Sequence, residues 1–232
     1  MTRFAVRAEI MKLAQLLELE ATELGYLETV AADDLRRLRE QITDVIYDSG
    51  SHALGRLASA SRLLPTSVVA LIGEHAFGPM LAARIAGLLD PARAAEVAAK
   101  LPTPFLAEVA THLDPRRAAE VLRRMPPDRI AEVARELTAA EEHVTLGRFV
   151  GHLPDEAIGL ALADMDDLTV LRVAFVLEDT EGADRVLALL DRARLERLLD
   201  AAKGTELWPD VLELFAGAPE PWRSQVLGAR VA

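Results

Sequence analysis

The sequence has no cysteine among its 232 residues, which excludes disulfides, thiolate metal sites and a cysteine nucleophile and suits a reducing compartment. Aromatic residues make up only 4% of the chain, too few to stack on nucleic-acid bases along any length. Positive charge is in deficit: 26 Lys and Arg stand against 37 Asp and Glu, a net charge of −11 that fits a phosphate backbone poorly. Nucleic acid is therefore not an expected partner. Lysine is confined to Lys12, Lys100 and Lys203 while arginine is abundant, a bias that reads, at this level, as GC-rich coding rather than chemistry. No leader is evident, because Glu9, Lys12, Glu18, Glu20 and Glu23 interrupt the stretch after Met1–Arg7 where a signal peptide needs an apolar run. The most apolar region, Leu63 to Leu89, is broken by Glu74, His75, Pro79 and Arg84, so no membrane-spanning helix is expected there. The expectation is a cytoplasmic protein that is not integral to a membrane.

What is present is aliphatic and periodic. Hydrophobic residues are 51% of the chain, enough to exclude disorder and to build a core. Ala95-Glu96-Val97 recurs as Ala107-Glu108-Val109, Ala119-Glu120-Val121 and Ala131-Glu132-Val133, with a spacing of 12 each time. A bulky apolar residue follows each valine by four places (Leu101, Leu113, Met125, Leu137), and then a helix-start signal: Pro102, Asp114-Pro115, Pro126-Pro127, Thr138. Each unit reads as a helix of about nine residues, too short to be stable alone in water, so the units must stack. Two antiparallel helices then make one 24-residue repeat of a helical solenoid. Weaker copies continue upstream through Ile85, Ala86 and Leu89 and downstream, after four inserted residues at Ala139–His143, as far as Leu198-Leu199 and Val211-Leu212.

The first 64 residues differ. Leu13, Leu16, Leu17 and Leu24 mark an amphipathic helix ending near Gly25; Leu35, Leu38, Ile42, Val45 and Ile46 mark a second, N-capped by Asp33 or Thr29; Ser51 to Leu64 forms a third. With no period-2 run long enough for a strand, the fold class is all-α. The organisation is an N-terminal helical element (1–64), repeats (65–218) and a C-terminal tail (219–232). The N-terminal helices cap the solenoid, pack on a second copy as a homodimer, or dock on a protein partner; the sequence leaves these three open.

Asp90-Pro91-Ala92-Arg93-Ala94-Ala95-Glu96-Val97, Asp114-Pro115-Arg116-Arg117-Ala118-Ala119-Glu120-Val121-Leu122 and Met125-Pro126-Pro127-Asp128-Arg129 resemble the N-terminal cytoplasmic domain of MgtE-type magnesium transporters, whose repeats are FliG-like. The resemblance implies a right-handed superhelix. In those transporters the domain senses magnesium against a pair of CBS domains and precedes a membrane pore; neither follows here before Ala232, so no metal ligand is carried over and a free-standing superhelix is the expectation.

Candidate chemistry is sparse. Asp164, Asp166 and Asp167 lie together in the last third of the chain (residues 152–232), which carries 8 basic against 16 acidic residues, a possible Mg²⁺ or basic-partner site against the simpler reading of solvated helix ends. The repeated Glu96, Glu108, Glu120 and Glu132 form either a carboxylate column or a rim paired with Arg93, Arg116, Arg117 and Arg135. Glu74-His75 interrupts the most apolar stretch and is a candidate acid/base pair; Tyr26 and Tyr47 are candidate polar contacts, and Trp208 and Trp222 candidate partner anchors. There is no Gly-x-Ser-x-Gly, phosphate loop, dinucleotide fingerprint or helical zinc pair. The leading reading is a non-catalytic helical-repeat interaction protein that responds to Mg²⁺. The alternative is a small-molecule-binding protein or enzyme with an apolar pocket between the N-terminal helices and the superhelix.

Overall fold

Helices begin where aspartate and proline stand, and in the computed structural model, which describes residues 3–177 and 180–203 with Thr205, Trp208, Pro209 and Val211, fourteen α-helices follow. They are α1 (Arg3–Leu17), α2 (Ala32–Asp48), α3 (Ser51–Ser61), α4 (Thr66–Ile72), α5 (Gly78–Ala86), α6 (Pro91–Ala98), α7 (Thr103–His112), α8 (Pro115–Leu122), α9 (Pro127–Ala139), α10 (His143–Phe149), α11 (Asp155–Asp164), α12 (Asp167–Phe175), α13 (Thr180–Leu189) and α14 (Arg192–Ala202). The carboxylates of Asp90, Asp114, Asp166 and Asp191 accept first-turn amides, and Pro91, Pro115 and Pro127 occupy the first helical position. No strand occurs among the described residues, and the fold is all-α.

Three boundaries differ from the sequence reading. α1 stops at Leu17 because Glu18 takes a left-handed conformation (φ 55°), and Leu24 belongs instead to a 3₁₀ stretch, Ala21–Leu27. α2 starts at Ala32 behind Ala31, so Asp33 lies in the first turn, where a carboxylate favours the helix dipole, rather than at the cap. Thr138 starts nothing: the inserted residues lengthen α9 by a turn, and the chain reverses at Glu141 (φ 58°) before α10.

Each repeat helix packs on the one two places along. The odd helices α3, α5, α7, α9, α11 and α13 form one layer; α4, α6 and α8 and then α10, α12 and α14 form the other. Within the second layer α10 packs tightly on α12 and the residues just after it. There Gly147 lies so near that a Cβ would come within 2.6 Å of Val176 Cγ2 and 3.1 Å of the Val173 carbonyl. α4 and α5 join through a π-helical turn, Gly73–Phe77, into a continuous apolar run, Thr66–Ala86, with mean hydropathy 1.3. By length and composition this run is sufficient to cross a membrane, contrary to the sequence expectation, yet α4 is packed on α6 and α5 on α7.

Short helices leave many C-terminal carbonyls without intrahelical partners. Arginines supply those partners at a constant offset of three helices. Arg84 of α5 donates to Ser49 O behind α2; Arg93 of α6 to Ser61 O (2.5 Å) and Leu64 O (2.5 Å) behind α3; Arg129 of α9 to Leu101 O behind α6. Arg148 of α10 reaches Leu113 O (3.3 Å) behind α7, Arg185 of α13 reaches Leu153 O (2.6 Å) behind α10, and Arg194 of α14 reaches Leu162 O (2.6 Å) and Met165 O behind α11. A guanidinium carries five donors in a fixed fork and can hold two carbonyls while pairing with a carboxylate, which a lysine ammonium does less well. The arginine bias thus has a structural use, correcting the coding explanation.

The N-terminal helices lie along the flank of the stack. Ile10, Leu13 and Ala14 of α1 pack on Leu35 of α2, and Phe4 meets Phe175 edge-on at 4.7 Å between centroids. Gln15 donates to Glu142 (2.9 Å) and Thr145 (2.8 Å), and Tyr47 near the end of α2 donates to His112 O and accepts from the Asp114 amide (2.8 Å). The α1–α2 pair therefore braces the stack from the α7–α8 junction to the end of α12.

Substitutions at three positions test this packing. Arg194→Met should lower stability by about 1.5–3 kcal/mol per charged hydrogen bond not replaced, with Arg194→Lys recovering only part, measured by urea unfolding. Gly147→Ala should cost about 1–3 kcal/mol by overpacking. Gly159→Ala in α11, where nothing lies within 4 Å of the added Cβ, should instead stabilise by about 0.5–1 kcal/mol.

Candidate functional site

The inner faces of the two layers do not close on each other. They leave an elongated, partly open cavity of about 310 Å³ lined by residues from α3 through to Leu153 beyond α10. Its wall is the repeat itself: Val97, Val109, Val121 and Val133 line it, as do Leu101, Leu113, Met125 and Leu137 four places on. The positions one after each valine, Ala98, Ala110, Leu122 and Ala134, complete the i, i+3, i+4 stripe of each helix. Small alanines facing alanines hold the backbones close within a layer but leave space between layers. Ser61 carries the one polar side chain of the wall, and its hydroxyl is already committed to Ala58 O (2.7 Å). The channel therefore offers hydrocarbon contact and no acid, base or nucleophile.

Among the described residues, none of the polar and aromatic candidates from the sequence lines this channel. Glu74 and His75 lie on the π-helical turn, 3.6 Å apart, with His75 exposed and 3.3 Å from Leu71 O. Tyr26 is exposed on the 3₁₀ stretch, Tyr47 is tied to the α7–α8 junction, and Trp208 packs against the core of the C-terminal repeats. Trp222 lies outside the described residues, as do Glu178 and Asp179. The three aspartates each have protein partners: Asp164 pairs with Arg135 (2.8 Å), Asp167 with Arg194 (3.2 Å) and Arg197 (3.2 Å), and Asp166 caps α12. The Thr169 hydroxyl (2.6 Å) and amide (2.9 Å) hold the Asp166 pKa below the usual carboxylate value. Of the repeated glutamates, Glu120 pairs with Arg123 and Arg124 just past the end of α8, and Glu132 pairs with Arg129 (2.6 Å) on α9 and also feels the charge of Arg135, one of the arginines expected. Among the described residues no group of three or more Asp, Glu or His gathers as a metal site.

The alternative pocket was expected between the N-terminal helices and the superhelix. α3 does contribute Leu57, Ala60, Ser61 and Leu64, whereas α1 and α2 stay outside on the flank. Sequence reasoning recognised the repeat face that forms the wall and assigned it to packing. What it lacked was the separation of the two layers.

Buried charge is concentrated in the brace instead. Glu9, 2% exposed, accepts from Lys12 (2.9 Å) and Arg39 (3.1 Å) and pairs with Arg36 (3.4 Å), while Lys12 also donates to Leu177 O (3.3 Å). Burial alone would raise the Glu9 pKa, but Lys12, Arg39 and Arg36 together outweigh it and hold the pKa below the ordinary value. Burial lifts the Tyr47 phenol, against the Asp114 amide that donates to it, and the Arg117 guanidinium sits 5.2 Å from its ring centroid. Burial, reinforced by Arg172, lowers the His143 pKa.

Fold and site together define an all-α helical-repeat protein with an apolar interior channel and no reactive centre on its wall. Residues 75–149, the stretch that forms most of that wall, match the family model of the MgtE intracellular N domain. No curated protein and no solved structure matches the chain.

Glu9→Ala, which removes the carboxylate shared by buried Lys12 and Arg39, should cost about 3–5 kcal/mol. Because the Glu9 pKa is lower folded than unfolded, its contribution is complete above the unfolded value near 4.3 and fades as the pH falls through the folded one. Urea unfolding between pH 7 and pH 3 should therefore show a steeper acid loss of stability in the wild type than in Glu9→Gln.

Proposed function

We propose that this chain is a non-catalytic helical-repeat binding protein that holds a slender aliphatic guest between its two helix layers. The observation that carries the reading is the channel wall, on which Ser61 is the one polar side chain and is already hydrogen-bonded within its helix. The absence of polar partners decides the kind of guest: an amphipathic helix carries a polar face that this wall does not meet. A hydrocarbon chain, which is far thinner, can run along the channel past successive repeats. The energetic incentive is burial of the guest's own apolar surface, about 25 cal/mol per Å² removed from water. The matched family is described as an intracellular domain, which supports a location inside the cell.

The neutral alkyl probe 1-dodecanol tests the reading. At hundredfold excess over its Kd it should stabilise the protein by about 2.7 kcal/mol, a rise in Tm of roughly 5–10 °C. Ala86→Trp, at a partly exposed wall position, should fill the channel and abolish that shift while leaving the protein folded by circular dichroism. No shift in the wild type, or an equal shift in the variant, would remove the channel from the functional account.

A further inference from the structure

The α3–α5 end of the stack exposes several large apolar side chains. Leu63 is 88% exposed, Leu71 58% and Met80 53%, and Leu57, Leu64 and Val68 are exposed beside them. Leu57 and Leu64 also line the channel, so this patch is continuous with a mouth of it. Contiguous exposed apolar surface marks an interaction site. Charge narrows the partner. In a chain of net charge −11, residues 49–73 contain no Asp or Glu at all, and Arg56 and Arg62 stand exposed there with no ion pair among the described residues. Elsewhere the exposed arginines are mostly engaged, as Arg123 is with Glu120 and Arg197 with Asp167.

We propose that the α3–α5 end docks on an anionic lipid bilayer, with Leu63, Leu71 and Met80 entering the interface and Arg56 and Arg62 meeting the headgroups. Apolar side chains flanked by cations, with Glu74 the one acid from Ser51 to Ala86, are a chemistry that an anionic membrane surface takes. A second copy of the chain fits less well, since a two-fold contact through this patch sets the same patch against itself and brings the unpaired arginines of both copies together. Insertion across the bilayer is opposed by the packing of α4 on α6 and α5 on α7, and by Arg84, which is held at Ser49 O. The acidic remainder does not prevent approach. The carboxylates of α11–α14 lie three or more helix spacings of about 8–10 Å along the stack, beyond a Debye length of about 8 Å, and the nearer Asp44 and Asp48 of α2 are paired with Arg117. Docking at the mouth gives a hydrocarbon guest a route from bilayer to channel. The docking argument itself rests on the patch and not on channel occupancy.

Vesicle co-sedimentation of the full chain tests this at low salt, with phosphatidylglycerol–phosphatidylcholine mixtures against phosphatidylcholine alone. The expected result is partition onto the anionic vesicles only. The double variant Arg56→Gln with Arg62→Gln should weaken it about thirtyfold, near fivefold for each cation, and Leu63→Glu should abolish it. Both variants should melt like the wild type, because all three residues are exposed, and both should keep the 1-dodecanol shift, which separates failure of docking from failure of the channel reading. Three results would overturn the proposal: no partition onto phosphatidylglycerol vesicles, equal partition onto neutral ones, or partition unchanged in the arginine variant. A wild-type dimer in sedimentation equilibrium that Leu63→Glu dissociates, without vesicle binding, would overturn it in favour of self-association.

Discussion

The structure depends on how a chain cut into short helices satisfies the carbonyls at their C-terminal ends. A helix of eight to ten residues leaves four acceptors unpaired at its end, close to half of those it has. Stacking brings an arginine from three helices further on to those acceptors, as Arg93, Arg129, Arg185 and Arg194 show. Each such contact ties a helix of one layer to a helix of the other, because an offset of three always changes layer. The arginines therefore hold the layers at a set separation by polar bonds at their rims, while the apolar faces between them meet only through side chains.

That separation produces the channel. With several short alanine side chains on the wall, rim-bound helices cannot collapse inward to fill the gap, and hydrocarbon-lined space remains. The flank brace acts in the same sense. Its polar contacts at Tyr47, Gln15 and Lys12 fall at widely separated points of the stack, so bending the stack would break at least one of them. Glu9 stays charged in a buried place because three cations surround it, and that cluster joins α1 firmly to α2. A rigid channel and a rigid brace suit a protein that holds a guest without reacting with it.

The polar residues that seemed most suggestive in the sequence are engaged in architecture. Asp166 caps a helix, Asp164 and Asp167 pair with arginines, and Tyr47 pins the brace. Spacing along a chain reports that such residues are near one another but not which arginine arrives from thirty residues away. Val97, Val109, Val121 and Val133 were legible as one recurring position, and all four share one wall. That they border a void was not legible, because a stripe that lines a cavity and a stripe that fills a core have the same periodicity.

The sequence by itself determined the helices, the twelve-residue rhythm and the apolar stripe, since Asp-Pro starts, short units and i, i+3, i+4 spacing are local properties of the chain. It determined also the acid-free stretch from 49 to 73, which is a matter of composition. Only the tertiary structure decided that the N-terminal pair lies along the flank, that arginines close helix ends three units back, and that the two layers stand apart. These are long-range relations: each turns on which distant groups share a carbonyl, a carboxylate or a void, and no local pattern encodes that.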